Sequence, residues 1–189
     1  MSMIERSLDG MAALTTELGA MARRRVIELC GIILIAIAMI AALALASWSV
    51  SDPSLSHATD APVRNWVGWP GAVVADLMMQ LLGLGALALI LPVAIWGYRL
   101  LGHRAVEQQR LRVMIWPLGA VLAAAFASCL PRSTHWPLPC GLGGVIGDAI
   151  LRVPVLLFHL PLRSGNAVIA GILLGGAAAF AIAAACGFV

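Results

Sequence analysis

Apolar positions in this chain come in long continuous runs instead of alternating with polar ones. Four runs stand out, at residues 26–47, 75–98, 113–130 and 167–189. Each approaches the ~20 mostly apolar residues that a helix needs to cross a bilayer. In lipid every backbone polar group must be satisfied internally, so spanning segments are helices or strands of a closed barrel. Strands of a barrel alternate in hydrophobicity, and these runs do not. The pattern therefore predicts an all-α integral membrane protein with four transmembrane helices.

The segments between the runs are unequal. Residues 1–25 read as a cytoplasmic tail and 26–189 as a four-helix membrane domain. Ile4, Leu8, Met11, Leu18 and Met21 fall near helical spacing, so the tail is either an amphipathic helix or a mobile end. The first outer loop holds Pro53, Pro62 and Pro70 among serines, with Trp48, Trp66 and Trp69 at its two ends. Prolines and serines mark turns, and the tryptophans suit the membrane–water interface. A second outer segment, 131–166, is apolar but broken by Gly141, Gly143, Gly144, Gly147, Pro154 and Pro161. It predicts an additional outer-face helix between spans three and four, either amphipathic and interfacial or re-entrant. Val145, Ile146, Ala149 and Val153 would form its apolar face, with Asp148 and Arg152 on the polar side.

Composition supports a lipid environment: 61% of residues are hydrophobic and 11% charged, leaving little for a soluble catalytic domain. All basic residues are arginines, and their placement says more than the net charge of +3. Arg6, Arg23, Arg24 and Arg25 precede the first run; Arg99, Arg104, Arg110 and Arg112 sit between the second and third. The opposite side carries Arg64, Arg132, Arg152 and Arg163. Arginine-rich flanks stay in the cytoplasm, so both termini are expected there. Ala44-Leu45-Ala46 resembles a signal-cleavage site, but the first run is longer than a signal core, which favours an uncleaved helix.

Few residues carry chemistry. In the last run Ala167, Gly171, Gly175, Ala179, Ala183 and Gly187 recur every four residues. Such a small-residue stripe admits a close neighbouring helix, within the bundle or from another subunit. Cys129 and Cys140 fall near the outer face, where a disulfide is permitted. His57, His103, His135 and His159 form no metal-ligand pattern. The GLGGVIGD run lacks the lysine of a P-loop. A transport path would use charged groups inside the spans; Glu28 and Asp76 are the only acidic candidates and both sit near span ends, which argues against such a path, though Glu28 keeps the idea open. A small proton-coupled multidrug-type transporter stays as an alternative resting on Glu28, and a stand-alone structural membrane protein is another. No catalytic, cofactor-binding or metal-binding residue is assigned.

The order of features resembles the amino-terminal membrane domain of the FtsK/SpoIIIE family of DNA translocases, in the style of alphaproteobacterial members. The resemblance rests on Ser51-Asp52-Pro53-Ser54, Asn65…Gly68…Pro70-Gly71, Ala75-Asp76, Gly83 and the Gly143-Gly144…Gly147 run. It covers the chain from about Arg23 onward. It implies a bacterial inner-membrane location at the division septum and contacts with other division proteins. It also implies assembly as a hexamer and a role in chromosome partition during cell division. Family members carry a hexameric ATPase motor that moves DNA; ATP, magnesium and DNA would belong to that motor, which these residues lack. On that basis the chain is expected to be a fragment or a gene prediction cut short, and not itself an enzyme.

Overall fold

The computed structural model describes residues 3–104, 108–132, 134, 136–158 and 164–188, of which 3–15, 154–155, 157–158 and 164–165 are described by their backbone. The regular elements among the described residues are all helical: α1 (Met3–Ala46), α2 (Gly68–Leu82), a 3-10 turn (Gly83–Ala86), α3 (Leu87–Leu101), α4 (Gln109–Cys129), α5 (Gly144–Phe158) and α6 (Ser164–Cys186). Four candidate membrane spans follow, at Thr16–Ala46, Gly68–Leu101, Gln109–Cys129 and Asn166–Cys186. The second is α2, the 3-10 turn and α3 taken together.

The exterior is apolar. Leu29, Ile33, Ile37 and Ile40 are all more than half exposed on α1, which water would penalise and acyl chains would not. The interior is built of small residues: Ala124 is fully enclosed, in a cluster with Leu82 and Ala86. This is the expected economy of a membrane bundle, where lipid removes the hydrophobic drive between helices and close packing replaces it. On that logic α1 crosses α3 with Gly31 and Gly97 back to back. Helix α6 packs chiefly on α4.

Several expectations shift. No break separates a tail from the first span, because α1 is one 44-residue helix. At ~1.5 Å per residue it reaches roughly 66 Å, about twice the hydrocarbon thickness. The second span starts at Gly68, not near residue 75, and the Pro70-Gly71 step forms the first turn of α2. Proline is tolerated there because its missing N–H has no intrahelical partner anyway.

Helix α5 sits between spans three and four as expected; of its predicted apolar face Ile146 packs on the Leu82, Ala86 and Ala124 cluster, and of its predicted polar pair Arg152 is exposed and Asp148 half-buried. Val145, Ala149 and Val153 are exposed, while Gly143, Gly144 and Gly147 turn inward. The physical reason is backbone proximity. A Cβ at Gly147 would strike the carbonyl of Ala124 in α4, so only glycine lets these two backbones touch.

Candidate functional site

Two polar clusters occupy opposite ends of the bundle. At the arginine-poor end, the loop after α1 folds onto the start of α2. Asp52, 3% exposed, accepts hydrogen bonds from the backbone N–H of Arg64 (3.0 Å) and Asn65 (2.9 Å). Asn65 in turn donates from Nδ2 to the carbonyl of Ala44 at the end of α1 (2.8 Å), and its Oδ1 accepts from Val67 N–H (3.1 Å). Ser47 Oγ accepts from Trp66 N–H (3.0 Å) and donates to Leu43 (2.7 Å). The Ser51-Asp52-Pro53-Ser54 and Asn65…Gly71 segments are thus two halves of one clasp.

Asp76 belongs to the next layer. Its Oδ2 accepts from Ser54 Oγ (2.6 Å), from Ser56 Oγ and from Gln80 Nε2 (2.9 Å). Gln80 sits one turn along α2 and also donates to Ser56 Oγ (2.7 Å). A cleft of about 270 Å³ opens beside this cluster, lined by His57, Asp76, Leu138, Cys140 and Val145 among others.

The GLGG run completes this end. Leu84 N–H in the 3-10 turn donates to the carbonyl of Leu142 (2.8 Å). Gly83 (φ 54°) and Gly144 (φ 68°) both hold left-handed backbone there, which side-chain-bearing residues rarely adopt. Asp148 of α5 accepts from Ser128 Oγ of α4 (2.7 Å) and from Gly141 N–H (2.8 Å). It faces the bundle, not the polar exterior. Trp48 meets Trp136 at 6.5 Å between ring centroids, while Trp66 and Trp69 are exposed.

The predicted residues disperse over this frame. Gly171 lies against Cys129 and Gly175 against Phe126, so the upper stripe packs on α4. Ala179 is exposed and Ala167 and Ala183 half-buried. A four-residue step drifts around a 3.6-residue helix, and the buried side instead follows Gly171, Ala178 and Ala185. Cys129 and Cys140 are free thiols. Cys129 Sγ donates to the carbonyl of Ala125 (3.5 Å), and burial pushes the Cys140 thiol up. His135 and His159 lie outside the described residues, as do Arg163 and Pro161.

At the arginine-rich end, Glu28 pairs with Arg25 (2.8 Å) and with His103 (3.3 Å). Arg23, Arg24, Arg104 and Arg110 are exposed. Arg99 Nη2 donates to the carbonyl of Gly187 (2.6 Å), with its guanidinium 5.5 Å from the Phe188 ring centroid. Arg112 also reaches Gly187. Cations suit the negative end of the α6 dipole. Trp96 Nε1 donates to Ala185 (2.7 Å) and Trp116 Nε1 to Leu89 (2.9 Å). Sequence reasoning found these arginines as topology markers but missed that two of them close the end of α6.

Residues 23–188 match the family described as the 4TM region of DNA translocase FtsK/SpoIIIE. The chain belongs to this family. It is 46% identical over 187 residues to the DNA translocase FtsK of Bradyrhizobium diazoefficiens, covering 99% of this chain and 22% of that protein. The FtsK of Brucella suis is 47% identical over 132 residues, 70% of this chain and 16% of its own length. That of Caulobacter vibrioides is 34% identical over 152 residues, 77% and 18% respectively. The chain thus spans about a fifth of the FtsK relatives it matches, and corresponds to their amino-terminal membrane region. No solved structure matches it.

Proposed function

We propose that this chain is the membrane anchor and septum-targeting region of a DNA translocase that acts in chromosome partition during cell division. The observation that carries the reading is the match over residues 23–188 to the 4TM region of FtsK/SpoIIIE. The arginine-rich end faces the cytoplasm by the positive-inside rule, so both termini lie there and α1 extends into it. The clasp of Asp52 and Asn65 then lies on the outer side, where it stiffens the loop that carries Leu55 and Trp66 up to Trp69 in the first turn of α2. Those exposed apolar side chains are the surface for contacts with other division proteins. DNA, ATP and magnesium would be handled by the parts of the longer translocase outside the matched region, and several copies of the anchor gather in the membrane.

Two fluorescent fusions test this, one before Met1 and one after Val189, made with a protein that matures only in the cytoplasm. Both should fluoresce and concentrate at the constriction of dividing cells. A dark fusion at either end would overturn the topology, and even membrane staining would overturn the targeting.

A further inference from the structure

We infer that the arginine-rich end of the bundle binds an anionic phospholipid, with its headgroup phosphate on Arg112 and Arg99 and an acyl chain in the groove between α1 and α4. Helix α3 packs against both α1 and α4, and among the described residues no Cα of α1 lies within 8 Å of one in α4. The gap is a groove of about 180 Å³ walled by Leu34 of α1, Trp96 and Leu100 of α3, and Val113 of α4, with Gln109 and Arg112 at its polar edge. Trp96 spends its one donor on Ala185, so it offers the groove only a ring.

The charge arrangement calls for an anion. The guanidiniums of Arg99 and Arg112 converge so closely that a side chain at Gly187 would collide with both. Arg99 has the carbonyl of Gly187. Arg112 Nη1 is enclosed and has no hydrogen-bond partner among the described residues. The nearby acid, Glu28, is engaged by Arg25 and His103. Two like charges side by side, one of them half-buried with an enclosed nitrogen that lacks a partner, are costly without a counter-charge. A phosphate can take several charge-assisted hydrogen bonds from paired arginines. The remaining wall is apolar and made by helices that span the membrane, so the occupant is an amphiphile with one anionic head, not a free ion.

Native mass spectrometry tests this on the 189-residue chain, released from micelles containing phosphatidylglycerol and phosphatidylcholine. Phosphatidylglycerol should be retained in preference. Arg112→Gln should lower its retention roughly tenfold, about the loss of one good charge-assisted bond, while Arg104→Gln on the exposed loop should not. Leu34→Trp fills the groove while leaving both arginines in the sequence and should also lose the lipid, which covers the case in which Arg112→Gln fails to fold. Equal retention of both lipids, or full retention by folded Arg112→Gln and Leu34→Trp, would overturn the site. Displacement by inorganic phosphate would show a free-anion site instead. A lipid-free pair of chains would show that a second copy fills the groove.

Discussion

Asp52 and Asn65 are 13 positions apart, yet the carboxylate of one is bound to the backbone of the other at 2.9 Å, and both are buried. The relationship joins the end of the first span to the start of the second. It also explains why Ser-Asp-Pro-Ser and Asn-x-x-Gly-x-Pro-Gly occur together in this chain: the first supplies the acceptor, and the second supplies the side-chain amide and one of the two donors, the other being the N–H of Arg64 just before it.

Removing the acceptor should be expensive. In Asp52→Ala one buried and one part-buried N–H group lose a charged partner, and a net hydrogen bond to a charged group is worth about 1.5–3 kcal/mol. A loss of about 2–4 kcal/mol is expected for the pair, given imperfect additivity. Thermal unfolding of the detergent-solubilised chain checks it, and an unchanged midpoint would show that the clasp does not hold the loop.

Gly83 and Gly144 form the second vulnerable point. Gly144→Ala forces a Cβ into left-handed backbone against the carbonyls of Gln80 and Leu81, and should cost more than the ~1 kcal/mol of strain alone. Gly176→Ala meets nothing within 4 Å and serves as the neutral control. Equal melting of the two variants would contradict the junction.

The small-residue stripe of α6 divides into two roles that one substitution each can separate. Gly175→Leu would collide with Phe126 and should lower the stability of the single chain by about 1–3 kcal/mol. Gly176→Leu points to open space on the same helix as exposed Ile172, Ile169 and Phe180. It should leave stability unchanged and weaken self-association in a membrane two-hybrid assay. Loss of association only with Gly175→Leu would place the contact inside the bundle.

Cys140 offers a pH test. Burial raises its thiol pKa, so less of it is thiolate at a given pH than in an unstructured cysteine. Its alkylation should be slower at neutral pH, with the rate still climbing above the pH at which the reference thiol levels off. Matching profiles would mean that the loop before α5 leaves Cys140 open. Bridging Cys140 to Cys129 would also require Cys129 to leave the carbonyl of Ala125.

Hydropathy made the four spans legible because it reports the solvent, and here the solvent is lipid. It could not show how the helices meet. The crossing of Gly31 and Gly97 and the contact of Gly147 with Ala124 leave isolated glycines in apolar runs, which look the same whether or not a backbone passes over them. The inward glycine edge of α5 is not legible for the same reason: its closest contacts are made where side chains are missing. Asp52, Asn65 and Asp76 stood out as turn or span-end residues, but their partners are far along the chain, and no local pattern pairs them. The arginines were legible in number and side; the convergence of Arg99 and Arg112 on Gly187 follows only from how α3, α4 and α6 end together.

The central claim is that these residues alone carry a membrane protein to the division site. The most direct measurement is fluorescence of the 189-residue chain, fused after Val189, in dividing alphaproteobacterial cells. The account predicts enrichment at the constriction that is lost in Asp52→Ala, whose clasp is open. Uniform membrane fluorescence of the unaltered chain throughout division would contradict it.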